Sequence, residues 1–231
     1  MKSLQDYINR FREQYPHWSE DDINNYAKIM YNKMLTVKHG DNIVHLDYFD
    51  GLIVSNEIFE IEKLLGDSKL ELSRFDKSGI PHNSIEDFTL QVALCINNPI
   101  VQNILLGIAG NIAWDSIKKA SVLIWKTIQQ RHWNSEELNK KQKINFGLKI
   151  KTSKNKSISL NLDSGLTEEL VLKALDTSLE VVKELNQSDK SKGSNKLSYP
   201  SDFYVFDKEK NLWFEVDIME EVRRKHLNQN L

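Results

Sequence analysis

From Phe88 to Trp114 the chain carries no charged side chain. An uncharged run of that length has to be buried, in lipid or in protein, and the rest of the fold must be built around it. Asn97-Asn98-Pro99 divides it, because proline lacks an amide donor and restricts the residue before it. Two elements are therefore expected: a short buried strand over Phe88–Ile96, and a helix from Asn98 to about Arg131. Asn98 is suited to cap that helix and Pro99 to occupy its first turn. Its apolar half, up to Trp114, would be roughly 24 Å long, short of the hydrocarbon layer of about 30 Å. Gln102, Asn103 and Asn111 interrupt it with amides that are costly to bury in lipid. A long central helix in a protein core is the reading that follows. Gly107, Gly110 and Ala113 recur at three-residue intervals, which on one continuous helix makes a smooth strip for close packing.

The remainder reads as α+β. Ser3-x-x-Asp6 and Ser19-x-x-Asp22 are capping signatures for two short amphipathic helices. Leu4, Ile8, Phe11 and Tyr15 line the first; Ile23, Tyr26, Ala27, Met30 and Met34 line the second, with Trp18 stapling its start. Asp50-Gly51 between Ile43–Phe49 and Leu52–Ser55 is a strong hairpin signal. A helix to Leu65 and a strand near Leu70–Phe75 complete an N-terminal helical and hairpin unit, residues 1–80. Residues 81–186 form the core sheet-and-helix unit. In it Ile144, Phe146, Leu148 and Ile150, then Ile158, Leu160 and Leu162, alternate with polar residues as a hairpin with one face in the core. Thr167 caps a helix to Leu185. Residues 187–200, rich in Ser, Lys and Asn, read as a linker. Residues 201–231 add a last hairpin around Asp207–Asn211 and a short helix, completing the core unit. The fold class expected is an antiparallel or mixed sheet packed on the long central apolar helix, with a small N-terminal α+β unit.

Chemistry is harder to find. The six histidines are scattered, the single cysteine, Cys95, lies in the apolar run, and neither Cys-x-x-Cys nor His-Glu-x-x-His occurs. A lone thiol and no signal-like N-terminus fit a cytoplasmic protein, and no cofactor or metal is expected. The least poor catalytic candidates are Asp202, Glu215 and Asp217. Pro200-Ser-Asp202 followed by Glu215-Val-Asp217 loosely resembles the Pro-Asp…Glu-x-Lys arrangement of metal-dependent nucleases. Asp217 stands where that arrangement has its lysine, so the resemblance lacks the residue that orients water.

Charge is unevenly spread. Net charge is −2, yet residues 118–156 carry eleven Lys or Arg against Glu136 and Glu137, a local 11 − 2 = +9. Lys140, Lys141, Lys143, Lys149, Lys151, Lys154 and Lys156 crowd the central hairpin. Lysines there serve either as protection of a sheet edge or as a surface for nucleic acid or acidic membrane. The leading expectation is a non-enzymatic cytoplasmic interaction or regulatory protein of a microbial assembly, such as an accessory of a defence or toxin–antitoxin system. It would act through a protein partner or as a homo-oligomer. Alternatives are a membrane-contacting effector using helix 100–114 and the basic stretch, and a metal-dependent nuclease-like enzyme.

Overall fold

The computed structural model describes residues 2–80, 92–107, 110–135, 140–152, 157–163, 165–188, 201–220 and 223. Two helices open the chain, α1 (Leu4–Gln14) and α2 (Glu20–Leu35). Both begin as the capping signatures require. The Ser3 hydroxyl accepts from the Asp6 amide while the Asp6 carboxylate accepts from the Ser3 amide, and Ser19 accepts from the Asp22 amide. They pack on each other around Tyr7, Phe11, Ile23 and Ala27 in a cluster of their own.

The body of the protein is one mixed sheet. Its strands are β1 (Ile43–Tyr48), β2 (Glu71–Asp76), β3 (Val92–Ile96), β6 (Phe146–Lys151), β7 (Ser157–Leu162), β8 (Ser201–Asp207) and β9 (Leu212–Glu215), in the order β2-β1-β3-β6-β7-β8-β9. A separate ribbon pairs β4 (His132–Ser135) with β5 (Lys140–Lys143). Helices α3 (Ser55–Gly66), α4 (Asn98–Leu105), α5 (Gly110–Gln129) and α6 (Glu168–Ser188) join the strands. The fold is α+β, as the alternation of patterns implied. The β6–β7 and β8–β9 hairpins pair antiparallel in the places expected; residues 153–156 of the first turn lie outside the described residues.

One face of the sheet carries the main apolar core. Val44, Leu46, Leu72, Leu94, Ile96, Leu148, Ile150, Ile158, Leu160, Tyr204 and Phe206 share a core with Ile58, Ile61 and Leu65 of α3, Ile117, Ile124 and Ile128 of α5, and Val171, Leu175 and Val182 of α6. Thr167 caps α6 by accepting from the Leu170 amide. The indole N–H of Trp213 donates to the Ala174 carbonyl at 3.0 Å, tying edge strand β9 to α6.

Three expectations need correction. The helix expected from Asn98 to Arg131 is two helices, broken at Leu106-Gly107, where Gly107 takes φ +73°. Gly107 therefore turns the chain and does not belong to a close-packing strip with Gly110 and Ala113. A Cβ added to it would meet nothing within 4 Å. Asn97, one residue earlier than expected, occupies the capping position of α4.

Asp50-Gly51 makes a turn but no hairpin. Gly51 has φ +79°, whereas Asp50 is not among the non-glycine residues with positive φ. Asp-Gly suits a type I′ hairpin turn, which needs positive φ at both central residues; positive φ at the second alone belongs to a type II turn, whose twist splays the flanking segments. The chain runs on into α3, and β1 and β2 pair in parallel.

The third correction concerns organisation. β1 and β2 belong to the same sheet as the later strands, so the sheet crosses the boundary placed at residue 80. Among the described residues, only the α1–α2 hairpin keeps a core apart. Of the remaining expectations, strand residues 88–91, linker residues 189–200 and most of the final helix fall outside the described residues.

Candidate functional site: the polar face of the sheet

Alternation puts every second residue of a strand on the face away from the helices. On the central strands these residues form registered rows. Asp47 of β1, Ala93 of β3, Gly147 of β6 and Asn161 of β7 stand side by side; His45, Cys95, Lys149 and Ser159 make the next row. The hairpin β6–β7 was expected to expose this face. Instead Ala93, Gly147, Ser159 and Asn161 are buried, and His45, Asp47, Cys95 and Lys149 are part-buried. The sheet has an apolar interior on one side and a polar interior on the other.

The polar groups interact across strands. The Cys95 thiol donates to Asp47 Oδ2 at 3.5 Å. Burial, then the neighbouring Asp47 charge, pushes this thiol well above its ordinary pKa, so Cys95 stays protonated and is a poor nucleophile. His45 stands opposite Cys95 in the register, and burial lowers its pKa, with Lys151 and His39 adding to the effect against Asp47. The Asn97 side-chain amide donates to the Ile43 carbonyl and lies 3.4 Å from His45 Nε2. Asn161 is fully buried, and among the described residues neither its nitrogen nor its oxygen has a hydrogen-bond partner. A buried amide left unpaired on both atoms is rare in folded proteins.

Sequence reasoning placed Cys95 in the apolar run and the polar residues of β7, Asn161 among them, on the face opposite the core. The alternation that placed Asn161 opposite the core was correct. A single strand does not show whether its second face is covered.

The three carboxylates of the nuclease-like pattern lie at adjoining ends of the β8–β9 hairpin. Asp217 caps the turn that follows β9, its carboxylate accepting from the Met219 and Glu220 amides. Asp202 and Glu215 instead flank Tyr204, which pairs directly with Glu215. Burial, with the Glu215, Asp202 and Glu184 charges, raises the Tyr204 phenol far above its ordinary value. Among the described residues no cluster of three or more His, Cys, Asp or Glu is arranged to hold a metal ion.

The described lysines of the basic stretch are spread over α5, β5 and β6. Lys149 and Lys151 lie on β6, flanked by β3 and β7 in the middle of the sheet, so they protect no edge. The edges are β2 and β9. Lys118 pairs with Asp115 and Asp176, Lys126 with Glu168, and Arg131 with Glu57. Three of the eleven cationic side chains are thus paired with acids from other parts of the chain. Lys140, Lys141 and Lys143 sit on the ribbon strand β5; Lys154 and Lys156 lie outside the described residues. Between α5 and α6 a groove of about 400 Å³ is lined by Val122, Leu123 and Leu172, with Lys118, Lys119 and Lys126 around it. Among the described residues no helix is long and apolar enough to cross a membrane. Within 100–114, Ile100, Val101, Ala113 and Trp114 are core, while Leu106 and Ile112 are exposed.

A second feature is the α1–α2 hairpin. Phe11, Tyr15, Trp18 and Tyr26 form a chain of ring contacts, closest at 4.0 Å between Tyr15 and Trp18. Tyr15, Trp18 and Tyr26 are only part-buried. The hairpin is tethered to edge strand β2, where Lys33 meets the Asp76 carboxylate and the Lys38 amide donates to Ser73 Oγ.

No family model, curated protein or solved structure matches the chain.

Proposed function

We propose that this is a non-enzymatic interaction protein, and that the α1–α2 hairpin is its docking element. The observation that carries this reading is the hairpin's separate core with its half-open aromatic ladder. Four buried side chains are too few to hold such a unit by themselves. Tyr and Trp held rigid and partly exposed are the side chains that most often anchor protein interfaces, since they bury a large area at small entropic cost. The partner is another protein or a second copy of the chain, in a cytoplasmic microbial assembly.

The test uses Trp18→Ser with Tyr26→Ser in the full chain. Self-association is followed by sedimentation velocity, and partner affinity is measured on whatever protein the tagged wild type retains from its source cells. Loss of two interface anchors should weaken binding by about thirtyfold or more, with far-ultraviolet circular dichroism unchanged. A wild type that stays monomeric and retains nothing, or a folded variant that binds unaltered, refutes the reading.

A further inference from the structure

We infer that the outer edge of β9 pairs antiparallel with the same strand of a second copy of this chain, joining two sheets across a two-fold axis. β9 closes the sheet at one end and β2 at the other. The α1–α2 hairpin is tied to β2, so this interface is independent of it. The two edges differ in how they are protected. β2 carries Glu71, Arg74 and Asp76, and the Lys38 amide, just past α2, donates to Ser73 Oγ in it. β9 is Leu212-Trp213-Phe214-Glu215, without proline or lysine, and among the described residues no strand lies beyond it. An unshielded apolar edge is a ready template for another strand.

Hydrogen-bond alternation tells which groups face outward. The Val216 amide donates to the Phe203 carbonyl, and Phe214 and Leu212 stand opposite Val205 and Asp207. Bonded and non-bonded pairs alternate in an antiparallel ladder, so Phe214 and Leu212 bond to β8, whereas the amides and carbonyls of Trp213 and Glu215 point away from it. Across a two-fold axis these groups form about four bonds with their counterparts. An axis normal to the sheet keeps each face on its own side. Leu212 and Phe214, 55% and 39% exposed, then meet the same face of the second copy, while Trp213 stays against α6. Charge favours this occupant and this direction. At the turn end Lys208 and Lys210 outnumber Glu209 among the exposed side chains, Asp207 being part-buried and engaged with the turn amides. At the far end the exposed Glu215, Asp217 and Glu220 are all acidic. Antiparallel self-pairing sets the lysine end of one copy beside the acidic end of the other; parallel pairing would set like charges together. A two-fold contact uses the same patch on both subunits and closes at two.

Sedimentation velocity on the full chain over about 1–300 μM should show a monomer–dimer equilibrium, in the weak range that a small interface gives. Glu215→Pro removes one outward donor per copy and none of the bonds to β8. It should weaken the dimer by about tenfold or more, with far-ultraviolet circular dichroism unchanged. Phe214→Lys, which puts a charge on the edge of each copy, serves the same purpose if the proline variant does not fold. Trp18→Ser with Tyr26→Ser should leave this dimer intact. The interface is overturned by a wild type that is monomeric throughout, by species larger than a dimer, or by a dimer that survives in the folded edge variant. A dimer lost with the hairpin substitutions but kept in Glu215→Pro belongs to the hairpin, and overturns the β9 interface alone.

Discussion

Lys33 and Asp76 show how one pair of side chains attaches an element to the body of the protein. The Lys33 ammonium lies 2.5 Å from Asp76 Oδ2 and also donates to the Asp76 carbonyl, with both side chains part-buried. Burial pushes the Asp76 carboxyl up, but Lys33 and the Ser78 hydrogen bonds more than offset it, and the net shift is downward. A carboxyl depressed in the folded state contributes stability that is present above its unfolded pKa, about 4, and lost as pH falls through the native value. Lys33→Met should cost about 2 kcal/mol near neutral pH, the worth of a charge-assisted hydrogen bond. The difference from wild type should narrow in acid, at a pH below the unfolded value of about 4 and through the lowered native one, where the wild type also gives up the pair. Urea denaturation of both proteins at the two pH values checks this; a gap independent of pH would mean that packing of the Lys33 stem, not the charge, holds the hairpin.

At the scale of elements, the break between α4 and α5 turns on Gly107. Its φ of +73° is strained for residues with a Cβ, and asparagine tolerates it better than alanine. Gly107→Ala should therefore destabilise by about 1 kcal/mol and Gly107→Asn by less, read from thermal melts. If the glycine served close packing, the larger asparagine would be the worse of the two. The same backbone argument separates the turns that were legible from those that were not. Ser3, Ser19 and Thr167 start helices through hydrogen bonds within three residues, and each was readable from the chain. Asp50-Gly51 was readable as a turn, but what it joins depended on β1 finding β2 in parallel, through α3. The Asp50 amide donates to Asp76 and Ser78, residues twenty-six and twenty-eight positions away, so no local pattern encodes its role.

For the whole molecule, the basic stretch gives the clearest contrast between chain order and space. Lys151 is exposed at the end of β6, whereas Lys149 is part-buried beside Cys95. Lys151→Ser should change stability by no more than about 0.5 kcal/mol. Lys149→Ser should cost about 1–3 kcal/mol, since it removes a charge from a buried polar array. Equal, negligible effects in chemical denaturation would return both lysines to the solvent. By itself the sequence determined the α+β class, the caps of α1, α2 and α6, the two late hairpins and which face of each strand is apolar, because these follow from periodicity and bonds within a few residues. Only the tertiary structure decided the strand order, the parallel β1–β2 pair, the neutralisation of Lys118, Lys126 and Arg131 by distant acids, and the burial of Asn161. Those depend on which surfaces meet across the chain, and a strand's alternation labels its two faces without saying what will cover either.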